Sequence, residues 1–139
     1  MQEVNFDEVV DKLYAQDPRY VRDAYHFTRE ALEYTQKLIT RENKGTERHV
    51  TGQELLEGIR QFALQQYGPM TITVLEEWGI RECRDFGEIV FNMVESGLLR
   101  KTDKDTRDDF QKGYNFVDAF RKPYWPAGKH AAEKKTVET

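Results

Sequence analysis

The chain holds a single cysteine, Cys83, in 139 residues. No disulfide can form within it, and no framework of bridges can hold it together. No run approaches the roughly 18 consecutive apolar residues that a membrane-spanning helix needs. The opening MQEVNFDEVV lacks the basic and apolar regions of a signal peptide. These absences lead us to expect a reduced, cytoplasmic setting and no membrane partner. Histidine is scarce too: His26, His49 and His130 lie far apart, and Cys83 has no histidine near it. None of them has a partner at ligand or dyad spacing. There is no glycine-rich phosphate loop, because Gly45, Gly52, Gly68 and Gly79 each read as loop, cap or helix stop. Glu76-Glu77 are neighbours that point to different sides of a helix, not a paired acid and base. Asp103-x-Asp105-x-x-Asp108 resembles the start of a calcium loop, but Arg107, Asp108 and Tyr114 stand where that loop needs an acid or Asn, a Gly and a Glu. The expectation is therefore no catalytic residue, no metal and no cofactor.

What is present is aromatic and charged. Eight Phe, seven Tyr and two Trp argue for a folded chain, and a charged fraction of 33% argues for a heavily solvated surface. The net charge is −4, where a non-specific DNA binder is normally basic. The charge is uneven. Residues 1–47 hold 7 basic and 10 acidic side chains, residues 48–120 hold 9 and 13, and residues 121–139 hold 5 and 2. Any basic surface must come from local clustering.

The pattern along the chain is helical. Asn5 can cap a first helix with Val9, Val10, Leu13 and Tyr14 on one side, ended by Asp17-Pro18. A second runs from about Val21 to Thr40, with Ala24, Phe27, Ala31, Tyr34 and Leu38 as its stripe. Thr51-Gly52-Gln53-Glu54 matches a capping box and opens a third helix that stops near Gly68-Pro69. A short helix follows, closed by Gly79, and Asp85-Phe86-Gly87-Glu88 reads as a second box-like start of a helix closing at Gly97. Leu98–Lys101 and Arg107–Gln111 read as two strands around the turn Thr102–Asp105. Asn115–Phe120 starts a last short helix. Asn or Asp, Phe and an acid recur at 5–10, 85–90 and 115–120 without a fixed period, so this is repeated cap chemistry and not duplication.

The expected fold is mainly α. An N-terminal helical pair (5–40) precedes a winged-helix-like three-helix unit with a small antiparallel hairpin (51–114). A closing segment (115–126) completes one domain, and 127–139 forms a loose tail. In a winged helix the third helix reads the major groove. Here its outward face would be Gly87, Glu88, Asn92 and Glu95, with Phe91 at the edge, and only Asn92 suits base readout. Positive charge instead clusters at Arg100, Lys101, Lys104, Arg107 and Lys112, interleaved with aspartates. Arg121, Lys122 and Trp125 extend it, with Tyr114 and Tyr124 available to stack on bases. That combination suits RNA better than duplex DNA. Arg48, His49 and Arg60 form a further candidate anion site. The alternative partner is a protein that docks on the acidic third helix.

Several blocks resemble a known family. They are Asp17-Pro18-Arg19-Tyr20, Arg48 to Arg60, Glu77-Trp78-Gly79-Ile80, Asp85 to Val94 and Ala119-Phe120-Arg121-Lys122-Pro123. Together they resemble the small signature protein shared by planctomycetes, verrucomicrobia and chlamydiae, over roughly residues 5–125. The resemblance implies a cytoplasmic housekeeping protein, linked to nucleic-acid binding and translation, and brings no catalytic residues.

Overall fold

The computed structural model describes residues 5–46, 50–99, 108–111 and 113–125. Asn5 opens α1 (Phe6–Gln16): its Oδ1 accepts from the Glu8 amide at 3.1 Å, and Asp7 and Glu8 sit at the positive end of the dipole. Val10 and Leu13 turn inward. The helix stops at Asp17, before Pro18, and the chain turns through the buried Tyr20 into α2 (Arg22–Glu42).

α2 is the central helix. It packs along α3 (Gly52–Tyr67) and also touches α1 and α5 (Cys83–Glu95). The expected stripe is buried at Ala24, Phe27 and Ala31, with Tyr34 and Leu38 half-buried at its edge. Thr28 and Thr35 join it. Both are buried, and their hydroxyls donate one turn back, to the Ala24 carbonyl at 2.8 Å and the Ala31 carbonyl at 2.7 Å. The polar groups are thereby satisfied inside the helix, and what faces outward is a small side chain. Gly58 of α3 lies opposite. A Cβ there would stand 1.7 Å from Thr35 Oγ1. Glycine inside a helix costs about 1 kcal/mol relative to alanine. Here it permits an approach of two helices that no side chain would.

Local chemistry sets the next boundaries. Thr51 and Glu54 form the reciprocal box, with bonds of 3.0 and 3.1 Å. A 3-10 turn, Gly68–Met70, leads into α4 (Thr71–Glu77). α4 ends in a Schellman motif: Gly79 has φ 94°, its amide bonds to Glu76 and the Ile80 amide bonds to Leu75. Gly79 is also tightly enclosed, since a Cβ on it would lie 2.0 Å from the Arg19 carbonyl oxygen. That contact presses the turn between α1 and α2 against the end of α4, and the Val21 amide bonds across to the Trp78 carbonyl at 3.3 Å.

Two expectations need correction. α5 begins at Cys83, not at Asp85. Asp85 lies inside the first turn, and its Oδ2 reaches back to the amides of Arg81 (2.8 Å) and Glu82 (3.2 Å). The antiparallel hairpin is the second. α5 ends in its own Schellman motif, in which Gly97 bonds to Val94 and Leu98 to Met93, with Leu99 bonding to Met93 as well. The Leu98 and Leu99 amides therefore terminate a helix and are not offered to a strand. Asp108–Gln111 is one helical turn, α6, with Phe110 buried against Gly87. Arg100–Arg107 lie outside the described residues, and no strand occurs among the residues described. The fold is mainly α.

The closing segment is pinned by aromatics. Asn115 Oδ1 accepts from the amides of Val117 (2.8 Å) and Asp118 (3.3 Å), and a π-helical turn, Val117–Arg121, follows. Phe116 and Phe120 are buried with ring centroids 5.1 Å apart, and Phe86 and Tyr114 pack on Phe116 at 6.0 and 6.2 Å. Burial of each Phe stabilises by about 1.5–3 kcal/mol. The tail expected from Ala127 onward lies outside the described residues.

The Thr35–Gly58 contact yields a prediction. Gly58→Ala should lower stability by about 1–3 kcal/mol despite the gain in helix propensity. An unchanged or raised urea midpoint would show that α2 and α3 do not approach this closely.

Candidate nucleic-acid interface

The face of α5 expected to point outward is mostly covered. Only Glu95 is exposed. Gly87 lies under Phe110, whose Cβ would stand 2.7 Å from a Cβ at that position, and Phe91 is buried. Glu88 and Asn92 face the turn between α1 and α2. Arg19 holds Asp17 in a two-pronged bond, Nε to Oδ1 at 2.8 Å and Nη2 to Oδ2 at 2.7 Å, and approaches Glu88 at 3.5 Å. Asn92 Nδ2 donates to Asp17 Oδ2 at 3.1 Å and to Tyr25 Oη at 3.0 Å. Tyr20 Oη donates to Asp85 Oδ1 at 2.6 Å. The one side chain on this face suited to reading a base is thus engaged inside the molecule. Glu88 and Asn92 are thereby tied to the turn at Asp17.

This network sets ionisation. The Arg19 guanidinium hydrogen-bonded to Asp17 holds that carboxyl at about 2, with burial opposing and Asn92 assisting. Burial, aided by the neighbouring Asp85, raises the Tyr20 phenol, and burial raises that of Tyr25.

Of the basic residues picked out in the sequence, Arg100, Lys101, Lys104, Arg107 and Lys112 lie outside the described residues. Arg121, Lys122 and Trp125 fall at the end of the π turn and on and just after the 3-10 turn Lys122–Tyr124. The buried Ala119 and Phe120 fix this segment from beneath. Arg121 is exposed and makes no ion pair among the described residues. Lys122 Nζ lies 2.8 Å from Asp118 Oδ1 and 5.9 Å from the centre of the half-buried Trp125 ring. Tyr124 is 46% exposed, and its hydroxyl leans on the Gly68–Met70 turn. Tyr114 behaves differently from the expectation. Its hydroxyl donates to the Leu56 carbonyl at 2.7 Å, and burial raises its pKa. It is a core anchor and offers no free face for stacking.

The remaining candidates are structural. Arg60 is bound two-pronged to Glu57 at 3.0 and 2.7 Å, and Gln61 bonds to the same carboxylate; Arg48 and His49 lie outside the described residues. Burial pushes the Cys83 thiol up to about 11, and the group lies 3.5 Å from the Tyr114 carbonyl. His26 is half-buried, with Nε2 3.3 Å from Asp7 Oδ1 and its ring tilted against that of Phe6 at 4.9 Å. No group of His, Cys, Asp or Glu suited to a metal ion occurs among the described residues. No helix among them is long and apolar enough to cross a membrane. No protein-family model, curated protein or solved structure matches the chain.

Two outcomes follow from these environments. The folded Asp17 pKa is depressed, so its contribution is present above the ordinary carboxyl value of 3.8 and is lost as pH falls towards about 2. Asp17→Asn should be less stable at neutral pH, and its stability should fall less than wild type between those two values; parallel acid titrations would contradict the assignment. Cys83 should react with a thiol reagent such as DTNB only at the rate of unfolding. Rapid labelling of the native protein would contradict its burial.

Proposed function

We propose that the protein is a non-enzymatic nucleic-acid-associated protein that contacts RNA through its C-terminal turn. The reading rests on one observation: Arg121, Lys122 and Tyr124 are all exposed within four residues of chain, with Lys122 Nζ 5.9 Å from the centre of the half-buried Trp125 ring, on turns whose Phe116 and Phe120 are buried. Cations and aromatic faces in one short stretch suit single-stranded nucleic acid, where phosphate attraction combines with base stacking. The Lys122–Asp118 pair is on the surface, and such pairs are worth only about 0–1 kcal/mol, so a phosphate can compete for the lysine. In this reading α3, α4 and α5 are the trihelical scaffold of a winged-helix-like unit, and the contact face lies behind them in the chain. The same reading accords with the cytoplasmic, translation-linked role that the sequence resemblance implies. A protein adaptor working through an acidic α5 is less well supported, because Glu88 is committed to Arg19.

Fluorescence anisotropy with a short labelled single-stranded RNA tests the proposal. Arg121→Glu with Lys122→Glu should weaken binding roughly tenfold or more and reduce the salt slope by about 1.4, at about 0.7 per single-strand phosphate contact. Trp125→Ala should cost about 1–3 kcal/mol of binding at constant salt. Reversing Arg100, Lys101, Lys104 and Arg107 should weaken binding further. RNA affinity unchanged in both the Arg121/Lys122 and the Trp125 variants would refute it.

A further inference from the structure

An apolar cleft of about 350 Å³ opens to the surface between α2, α3 and α5. Its walls include Leu32 of α2, Leu55 of α3, Val90 and Val94 of α5, and the flanking Leu99 and Phe110. The volume falls at the lower end of the roughly 300–1,000 Å³ typical of small-molecule sites. Most of the lining is hydrocarbon, with Glu33, Gln36 and Thr51 as its polar side chains.

One edge of the cleft is polar. Glu33 and Gln36 line it, and both also border a shallower depression that continues to Lys37, Thr40 and Arg41. Arg29, Glu33, Lys37 and Arg41 are spaced i, i+4 on α2 and form one ridge. Glu33 pairs backward with Arg29 at 3.5 Å. Lys37 and Arg41 are exposed and make no ion pair among the described residues. The C-terminal half of the ridge therefore presents two like charges one turn apart beside an apolar cleft, with Glu33 one turn before Lys37. Like charges at that spacing repel, and an anion lying across both would relieve the repulsion.

We infer that this cleft binds a small amphipathic anion, an acyl chain seated between α2, α3 and α5 with its carboxylate on Lys37 and Arg41. The acyl chain would cover apolar walls formed by the described residues, and the head would set a negative charge against Lys37 and Arg41. The site is separate from the C-terminal turn and does not depend on RNA binding.

Calorimetric titration with sodium octanoate tests the inference, with octylamine and octanol as controls of equal chain length. Octanoate should bind saturably and more tightly than either control. Lys37→Glu with Arg41→Glu, both at exposed positions, should weaken octanoate roughly five- to tenfold and abolish its advantage over octanol. Val94→Trp should fill the cleft and abolish binding, with its circular dichroism melt checking that the variant is folded. Equal binding of all three probes, octanoate affinity untouched by the charge reversal, or no saturable binding would each overturn the inference. So would association with phosphatidylglycerol vesicles in the absence of octanoate binding, since that marks a lipid surface and not a single acyl chain as the partner.

Discussion

The contact between Thr35 and Gly58 governs how the rest of the molecule is arranged. Two helices can approach this closely only if one gives up its side chain and the other hides its polar group. Gly58 does the first, and Thr35 does the second by donating to Ala31 within its own helix. With α3 held against it, α2 becomes the axis on which α1 and α5 also pack. The aromatics then fill the angles that close packing leaves. Phe27 meets Phe62, Tyr67 and Trp78 at 5.6, 6.1 and 5.4 Å, so one ring from α2 touches residues of α3 and of the end of α4.

The docking of α5 follows from the same geometry and decides which surfaces are available. The turn between α1 and α2 is pressed against Gly79 at one end and reaches α5 through Asp17, Arg19 and Tyr20 at the other. A half-buried carboxylate is tolerated there because Arg19 neutralises it and Asn92 donates to it. The network gives α5 a partner inside the chain. A helix in this place in a winged-helix arrangement is expected to read DNA; here its candidate reading side chain is spent on holding the N-terminal pair.

Sequence reading succeeded where the determining chemistry is local. Asn5, Thr51 with Glu54, Gly68, Gly79, Gly97 and Asn115 all act as caps, starts or stops close to where their residue types suggest, because a cap is settled within four or five residues. It failed where the outcome depends on distant partners. Thr35 looks polar until Gly58 of the neighbouring helix packs against it. Leu98 and Leu99 look like a strand, but their amides are used to finish α5. Asp85 resembles a cap and instead reaches back from the first turn while accepting from Tyr20, 65 residues earlier. At the candidate interface, the grouping of Arg121, Lys122 and Trp125 was legible from their closeness in sequence. The commitment of Asn92 and of the Tyr114 hydroxyl was not, since their acceptors lie 75, 67 and 58 residues away.

The central claim is that nucleic acid meets the C-terminal turn while α5 remains a scaffold element. Residue-by-residue amide shifts in a ¹⁵N-HSQC titration with a short single-stranded RNA address it most directly. The account predicts shifts concentrated between Asp118 and Trp125, with the side-chain amide of Asn92 and the backbone of Glu88 to Glu95 unmoved. Shifts concentrated on α5, with loss of the Asn92 bonds to Asp17 and Tyr25, would contradict it.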